Sequence, residues 1–164
     1  VEQSEAVDLV EIGQLFDMFV VGMDRLFGGF PITIDRKAAD GVLNLFLPEG
    51  ILHTPFGRAE GREAINKGWE RVAEMETPPG GPKYVQHHIT SREIRRVDPT
   101  TAHTCVYFLA VTDHGLDHWG VYEDRVVKVA DGWKIAERLA IVHGFVADGY
   151  YSGMPNPQNP VRHW

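Results

Sequence analysis

Three groups of side chains in the sequence have the types and spacing for acid–base chemistry. Asp24 stands in Val20-Val21-Gly22-Met23-Asp24-Arg25, in the last turn of an apolar, helix-spaced stretch where a carboxylate gains nothing from the helix dipole. His87 and His88 follow in Tyr84-Val85-Gln86-His87-His88-Ile89-Thr90. Neighbours on a strand face opposite ways, so only one of the two can enter a pocket on the sheet's inner face. The third group is His118-Trp119-Gly120-Val121-Tyr122-Glu123-Asp124. Each also has an ordinary reading: Asp24 paired with Arg25 or capping a loop, one histidine solvated and the other hydrogen-bonded in the core, Tyr122 a core aromatic with its hydroxyl satisfied.

The third group depends on a turn. If Asp131-Gly132 closes a two-residue hairpin, Ala130 pairs with Trp133. Counting back by twos then puts Lys128, Val126, Asp124, Tyr122, Gly120 and His118 on the Trp133 face. A slip of one residue puts Glu123 and Trp119 there instead. Other chemistries are weaker. Asp113-His114-Gly115-Leu116-Asp117-His118 holds two His and two Asp, but it reads as a hairpin loop, not a helix that would aim two histidines together, and no metal site is expected. Ser91, Ser152 and Cys105 lack a nucleophile context, and the glycines lack a phosphate-binding spacing.

The elements that must position these groups fall into two halves. Apolar residues recur at helical spacing over 4–27 as Val7, Val10, Ile12, Leu15, Phe16, Phe19, Val20, Met23 and Leu26. Asp35 is placed to cap a second helix through Leu47, with Ala38, Val42, Leu43, Leu45 and Phe46 inward and Pro48-Glu49-Gly50 as its stop. Residues 50–55 read as a short strand, 57–61 as a turn, and 62–75 as a third helix. After the Pro/Gly cluster at 77–82, the runs 84–97, 101–113, 115–130 and 133–146 are strand-like. The expected plan is therefore α+β, about three helices packed in a curved, mostly antiparallel sheet. Residues 146–164 read as an irregular tail, and nothing marks a second domain within 1–164.

Composition narrows the function classes. The 164 residues carry 16 Lys+Arg against 23 Asp+Glu, a net charge of −7, and one cysteine. Scattered basic residues on an acidic chain argue against binding nucleic acid through its phosphates. No apolar run approaches the roughly 18 residues of a membrane span. One cysteine excludes an intrachain disulfide, in keeping with a cytoplasmic location, and no signal-peptide pattern opens the chain.

Four segments together resemble the SnoaL-like family, within the cone-shaped α+β fold of nuclear transport factor two: Gly22-Met23-Asp24-Arg25; Leu45-Phe46 through Thr54-Pro55-Phe56-Gly57-Arg58 and Glu60-Gly61-Arg62-Glu63-Ala64-Ile65; Gln86-His87-His88-Ile89; and Gly120-Val121-Tyr122-Glu123-Asp124 leading to Asp131-Gly132-Trp133-Lys134-Ile135. They span about 5–145. The family includes dehydratases, dehydrochlorinases, polyketide cyclases, epoxide hydrolases, isomerases, lyases and proteins without catalysis. In scytalone dehydratase and hexachlorocyclohexane dehydrochlorinase an Asp ending the first helix orients a His at the start of the first long strand, and Asp24 and His87 fall on those positions. The Ser and Asn that scytalone dehydratase carries on the next inner strand are Gly120 and Tyr122 here, so its substrate does not transfer.

The resemblance implies a cofactor-independent lyase in which His87, held by Asp24, takes a proton from a hydrophobic, aromatic small molecule. Loss of water is the default, and carbon–carbon cleavage with release of formaldehyde is the related outcome. Tyr122 is the expected hydrogen-bond donor or general acid. His118 and Phe108 are expected to contact substrate, with Phe30 from the long connection at 26–36 and, in the alternative register, Trp119. The competing expectations are a non-catalytic ligand-binding or dimerisation module and, further, a polyketide cyclase, isomerase or epoxide hydrolase on the same fold; the protein is expected to be a homodimer or homotrimer joined through the sheet.

Overall fold

The computed structural model describes residues 3–27, 36–73, 80–154 and 158–161. Helix α1 (Gln3–Phe27) buries the stripe Ile12, Leu15, Phe16, Phe19, Val20 and Leu26, each fully buried side chain of this size contributing about 1.5–3 kcal/mol. Val7 and Val10 belong to the apolar spacing but lie outside the stripe, 49% and 62% exposed. Helix α2 (Arg36–Leu43) packs on α1 so closely that a Cβ on Gly22 would meet Val42 Cγ2. The second helix thus stops short of the expected Leu47. Leu45 and Phe46 do turn inward, but from a turn and a strand: Leu45 O accepts the Ile135 amide at 2.8 Å, and Phe46 opens strand β1 (Phe46–Thr54).

Two further local expectations are corrected. Pro48 is no helix stop. It sits in β1 where the ladder to the neighbouring strand skips from Phe46 to Ile51, so its missing N–H costs no sheet bond. Residues 57–60 form strand β2 (Gly57–Glu60), paired back on β1 through a two-residue turn at Pro55-Phe56. Helix α3 (Arg62–Ala73) follows, with Ile65 and Trp69 buried.

The long strands are β3 (Val85–Asp98), β4 (Thr101–Thr112), β5 (Gly115–Val129) and β6 (Gly132–Phe145), an antiparallel meander as expected. The six-stranded order is β2-β1-β6-β5-β4-β3, and β1 joins β6 in parallel, a pairing the strand pattern did not predict. Helix α1 crosses the inner face against β3 and β6. Asp8 fastens it there, 3% exposed, accepting from Trp133 Nε1 at 3.0 Å and Lys128 Nζ at 2.6 Å. The curved sheet and its helices form the expected α+β cone.

The β5–β6 turn differs in position but not in consequence. Val129 pairs with Gly132 and Lys128 with Trp133, so Ala130-Asp131 make the loop and Gly132 takes the positive φ of 106°. The pairing expected for Trp133 was Ala130. A shift of two residues preserves strand parity, so Val126, Asp124, Tyr122, Gly120 and His118 are all buried. Among the described residues no helix is long and apolar enough to cross a membrane.

Candidate active site

Asp24 lies in the last turn of α1, where the exposed carbonyls of the helix end disfavour a negative charge. Strand β3 compensates. The His87 backbone N–H donates to both carboxylate oxygens at 3.1 and 3.0 Å, and its Nδ1 lies 3.0 Å from Asp24 Oδ1. Both side chains are about a fifth exposed. With Nδ1 engaged by the carboxylate, Nε2 is the free basic atom. His88 faces the opposite way and is exposed, as strand alternation requires.

The row across the sheet at this level is His87, Ala110 and His118, each paired to the next. Paired residues share a face, and Ala110 carries only a methyl group, so the two imidazoles meet above it, ring centroids 5.6 Å apart and edge to face. Phe108, 4% exposed, lies 5.9 Å from each imidazole and stacks on Tyr122 at 4.5 Å with 15° between planes. Tyr122 meets Phe19 of α1 edge to face at 5.6 Å. Its hydroxyl has no hydrogen-bond partner among the described residues, and burial pushes its pKa well above the usual phenol value against the opposing pull of Arg138.

Two buried features were not recognised in the sequence. Arg138 and Asp124, both fully buried, form a two-pronged pair at 2.8 and 2.6 Å, and the guanidinium lies 4.0 Å from the Phe19 ring centre and 4.7 Å from that of Tyr122. Asp124 was counted on the inner face; its partner on β6 was not. Asp117 is the other. The β4–β5 register jumps from Ala110–His118 to Val111–Leu116, so Asp117 is the extra residue of a bulge and turns inward beside His118 instead of outward. It is 1% exposed, and its Oδ2 lies 2.7 Å from His118 Nδ1. The same carboxylate accepts the backbone N–H groups of Tyr150 and Tyr151.

Asp117 thereby brings the tail over the cone. The Tyr151 ring sits 4.7 Å from His118 and against Phe56 and Phe145 at 5.8 and 5.4 Å. A cavity of about 310 Å³ borders Asp117, Gly149 and Tyr150, with Thr112, His114 and Leu116 also in its wall. Farther along, Asn159 takes both the N–H and the C=O of Val142, and the Gln158 N–H donates to Pro55 O.

Of the residues singled out in the sequence, Asp24, His87, Phe108, His118 and Tyr122 are brought together. Trp119 is not. It is 38% exposed on the outer face, lying across Gly144 where a Cβ would come within 2.4 Å of its ring, because the register leaves the inner face to His118. Phe30 lies outside the described residues. No group of three or more His, Cys, Asp or Glu side chains among the described residues is placed to hold a metal ion.

Comparison with known proteins bears on the fold and the family. Over nearly its full length the chain is similar to a scytalone dehydratase candidate from Novosphingobium aromaticivorans, with 19% identity, 98% of this chain and 97% of that one covered, and a TM-score of 0.72. It is similar to a LinA-type hexachlorocyclohexane dehydrochlorinase from Novosphingobium barchaimii, with 12% identity, 87% and 91% covered, and a TM-score of 0.67. A protein of unknown function with a cystatin-like fold from Nostoc punctiforme matches at 19% identity, 81% and 89% covered, with a TM-score of 0.64. At these identities the likeness shows the fold. No curated protein sequence matches the chain. The sequence profile of the SnoaL-like domain matches residues 9–139, most of the chain and both members of the Asp24–His87 pair, and the protein belongs to the SnoaL-like domain family.

Proposed function

We propose that the protein is a cofactor-independent lyase that eliminates water from a hydrophobic, aromatic small molecule. The observation that carries this reading is the Asp24–His87 pair: a 3.0 Å contact at Nδ1, with the carboxylate held by the His87 backbone N–H, beside a wall of aromatic rings. His87 Nε2 takes a proton from a carbon next to a carbonyl. The C–H electron pair becomes the new double bond, the C–O bond breaks, and the departing hydroxide leaves as water with the proton His87 returns. Tyr122 supports the developing charge by donating a hydrogen bond to the substrate oxygen. Its raised pKa keeps it protonated, so it serves as a hydrogen-bond donor more readily than as a full acid.

The competing binding-module reading lacks a comparable supporting observation, because a purely structural cavity has no use for an oriented imidazole with a free nitrogen. The two separate with a panel of aryl β-hydroxy ketones, following the conjugated product by absorbance and exchange of the α-hydrogen in D₂O. Turnover is expected for the wild type, and His87→Gln should lower it by about a hundredfold, the usual contribution of a general base. Neither elimination nor exchange with any member of the panel, or an undiminished rate in His87→Gln, overturns the reading.

A further inference from the structure

His118 presents a second oriented imidazole, and its chemistry differs from that of His87. Asp117 Oδ2 at 2.7 Å takes the Nδ1 hydrogen, which leaves Nε2 as an acceptor, without a partner among the described residues. The side chain is 8% exposed against 20% for His87. The groups that face it are Asp117 from its own strand, His87 from β3 with Asp24 behind it, and Tyr151 and Tyr150 from the tail; β4 and β6 offer Ala110, Phe108 and Phe145, none of which titrates. Burial and the neighbouring His87 lower its pKa against the pull of Asp117, so the ring stays neutral near pH 7. Asp117, in turn, stays ionised: burial raises its pKa, but the hydrogen bonds from His118 and the two tail amides outweigh that.

We propose that the Asp117–His118 pair is a specificity site: His118 Nε2, fixed as a hydrogen-bond acceptor among the rings of Phe108 and Tyr151, selects substrates that present a hydroxyl donor on or beside the aromatic ring, a phenol above all. The inference deepens the reading of the site given above and rests on it. Hydrogen-bond groups buried in a binding site reject an analogue that cannot complete the bond, by as much as about ten-thousandfold in the strongest cases. Tyr122 and His118 then divide the work, one donating to a substrate oxygen and the other accepting from a substrate hydroxyl. Asp117 is a positioning residue, since it acts through the imidazole it orients.

The test needs no turnover, so it separates this inference from the lyase reading. Binding of 4-propylphenol and of its methyl ether, 4-propylanisole, is measured by calorimetry, and the His118 ring nitrogens are followed by ¹⁵N NMR. The wild type should bind the phenol at least about tenfold tighter, the worth of one good hydrogen bond, with the phenol alone shifting His118 Nε2. His118→Phe, which keeps the ring and removes the acceptor, should lose the preference, whereas His87→Gln should keep it. Asp117→Asn should move the ring hydrogen of His118 toward Nε2, visible in the ¹⁵N shifts, and abolish the phenol preference. Equal binding of the two probes, no binding of either, or a preference that survives His118→Phe overturns the proposal. If elimination fails with every substrate while the preference stands, only the lyase reading falls.

Discussion

His87 and His118 meet edge to face across the single methyl group of Ala110, with 5.6 Å between ring centroids, although 31 positions of numbering and a whole strand separate them. Each is held at Nδ1 by a carboxylate of different origin, Asp24 from the helix and Asp117 from a bulge. The shared middle position sets how near they come. Ala110→Leu should force the rings apart and overpack the inner face, at about 1–3 kcal/mol of stability. Thermal unfolding and elimination rate measured together should both fall, while Ala110→Gly should spare the rate far more than Ala110→Leu does.

Asp24→Asn tests the tautomer directly. The amide can still accept from the His87 backbone, but its charge is gone and its NH₂ competes for the ring nitrogen. Elimination should drop by about a hundredfold in kcat with little change in KM, because the lost interaction belongs to the proton-transfer step. Circular dichroism should show the fold intact.

The buried Asp124–Arg138 pair is a stability test. Burial already raises the Asp124 pKa against the pull of Arg138, so Arg138→Met leaves an unpaired carboxyl in the core and should cost about 3–5 kcal/mol in urea unfolding. The double variant Asp124→Leu with Arg138→Met removes both charges and should recover most of that loss.

Asp8 gives a pH dependence with a definite sign. Its pKa is lowered chiefly by the hydrogen bonds from Lys128 and Trp133, so its contribution is complete above the ordinary carboxylate value and is lost as pH falls through the lowered value. His118 adds a second window, because its lowered pKa stabilises the fold above the ordinary histidine value, and that contribution is lost as pH falls below it. In Asp8→Asn the acid part of the stability curve near and below pH 4 should flatten. In His118→Gln the slope below about pH 6.5 should flatten instead, which denaturant midpoints collected across pH will distinguish.

Gly149 tests the tail. A Cβ there would lie 2.5 Å from Asp117 Oδ1, so Gly149→Ala should push the tail off the carboxylate that binds it. Hydrogen bonds to a charged group are worth about 1.5–3 kcal/mol each, and hydrogen exchange at the Tyr150 and Tyr151 amides should accelerate by at least about tenfold.

Much of this was legible in the residues, and the failures have physical causes. Strand parity placed Tyr122 and His118 inward even though the turn lies one residue earlier than expected, because that moves the partner of Trp133 by two residues, from Ala130 to Lys128, and parity survives an even shift. The inward turn of Asp117 was invisible for the opposite reason: a bulge breaks parity, and nothing in Asp113-His114-Gly115-Leu116-Asp117-His118 announces one. The end of the second helix was misread because Leu45 and Phe46 fit a helical stripe as well as a buried strand, and the parallel pairing with Ile135 that decides between them is a contact 89 residues distant. Arg138 drew no notice in the sequence because its partner Asp124 lies on the neighbouring strand.

The two carboxylate–imidazole contacts also differ in when the chain can make them. Asp117 and His118 are adjacent, and the long strands around them close through short turns, so their contact costs little loop entropy. Asp24 and His87 are 63 residues apart and meet only once the first helix has docked. A refolding chain should therefore orient His118 early and His87 late, so competence in proton abstraction marks the completion of folding.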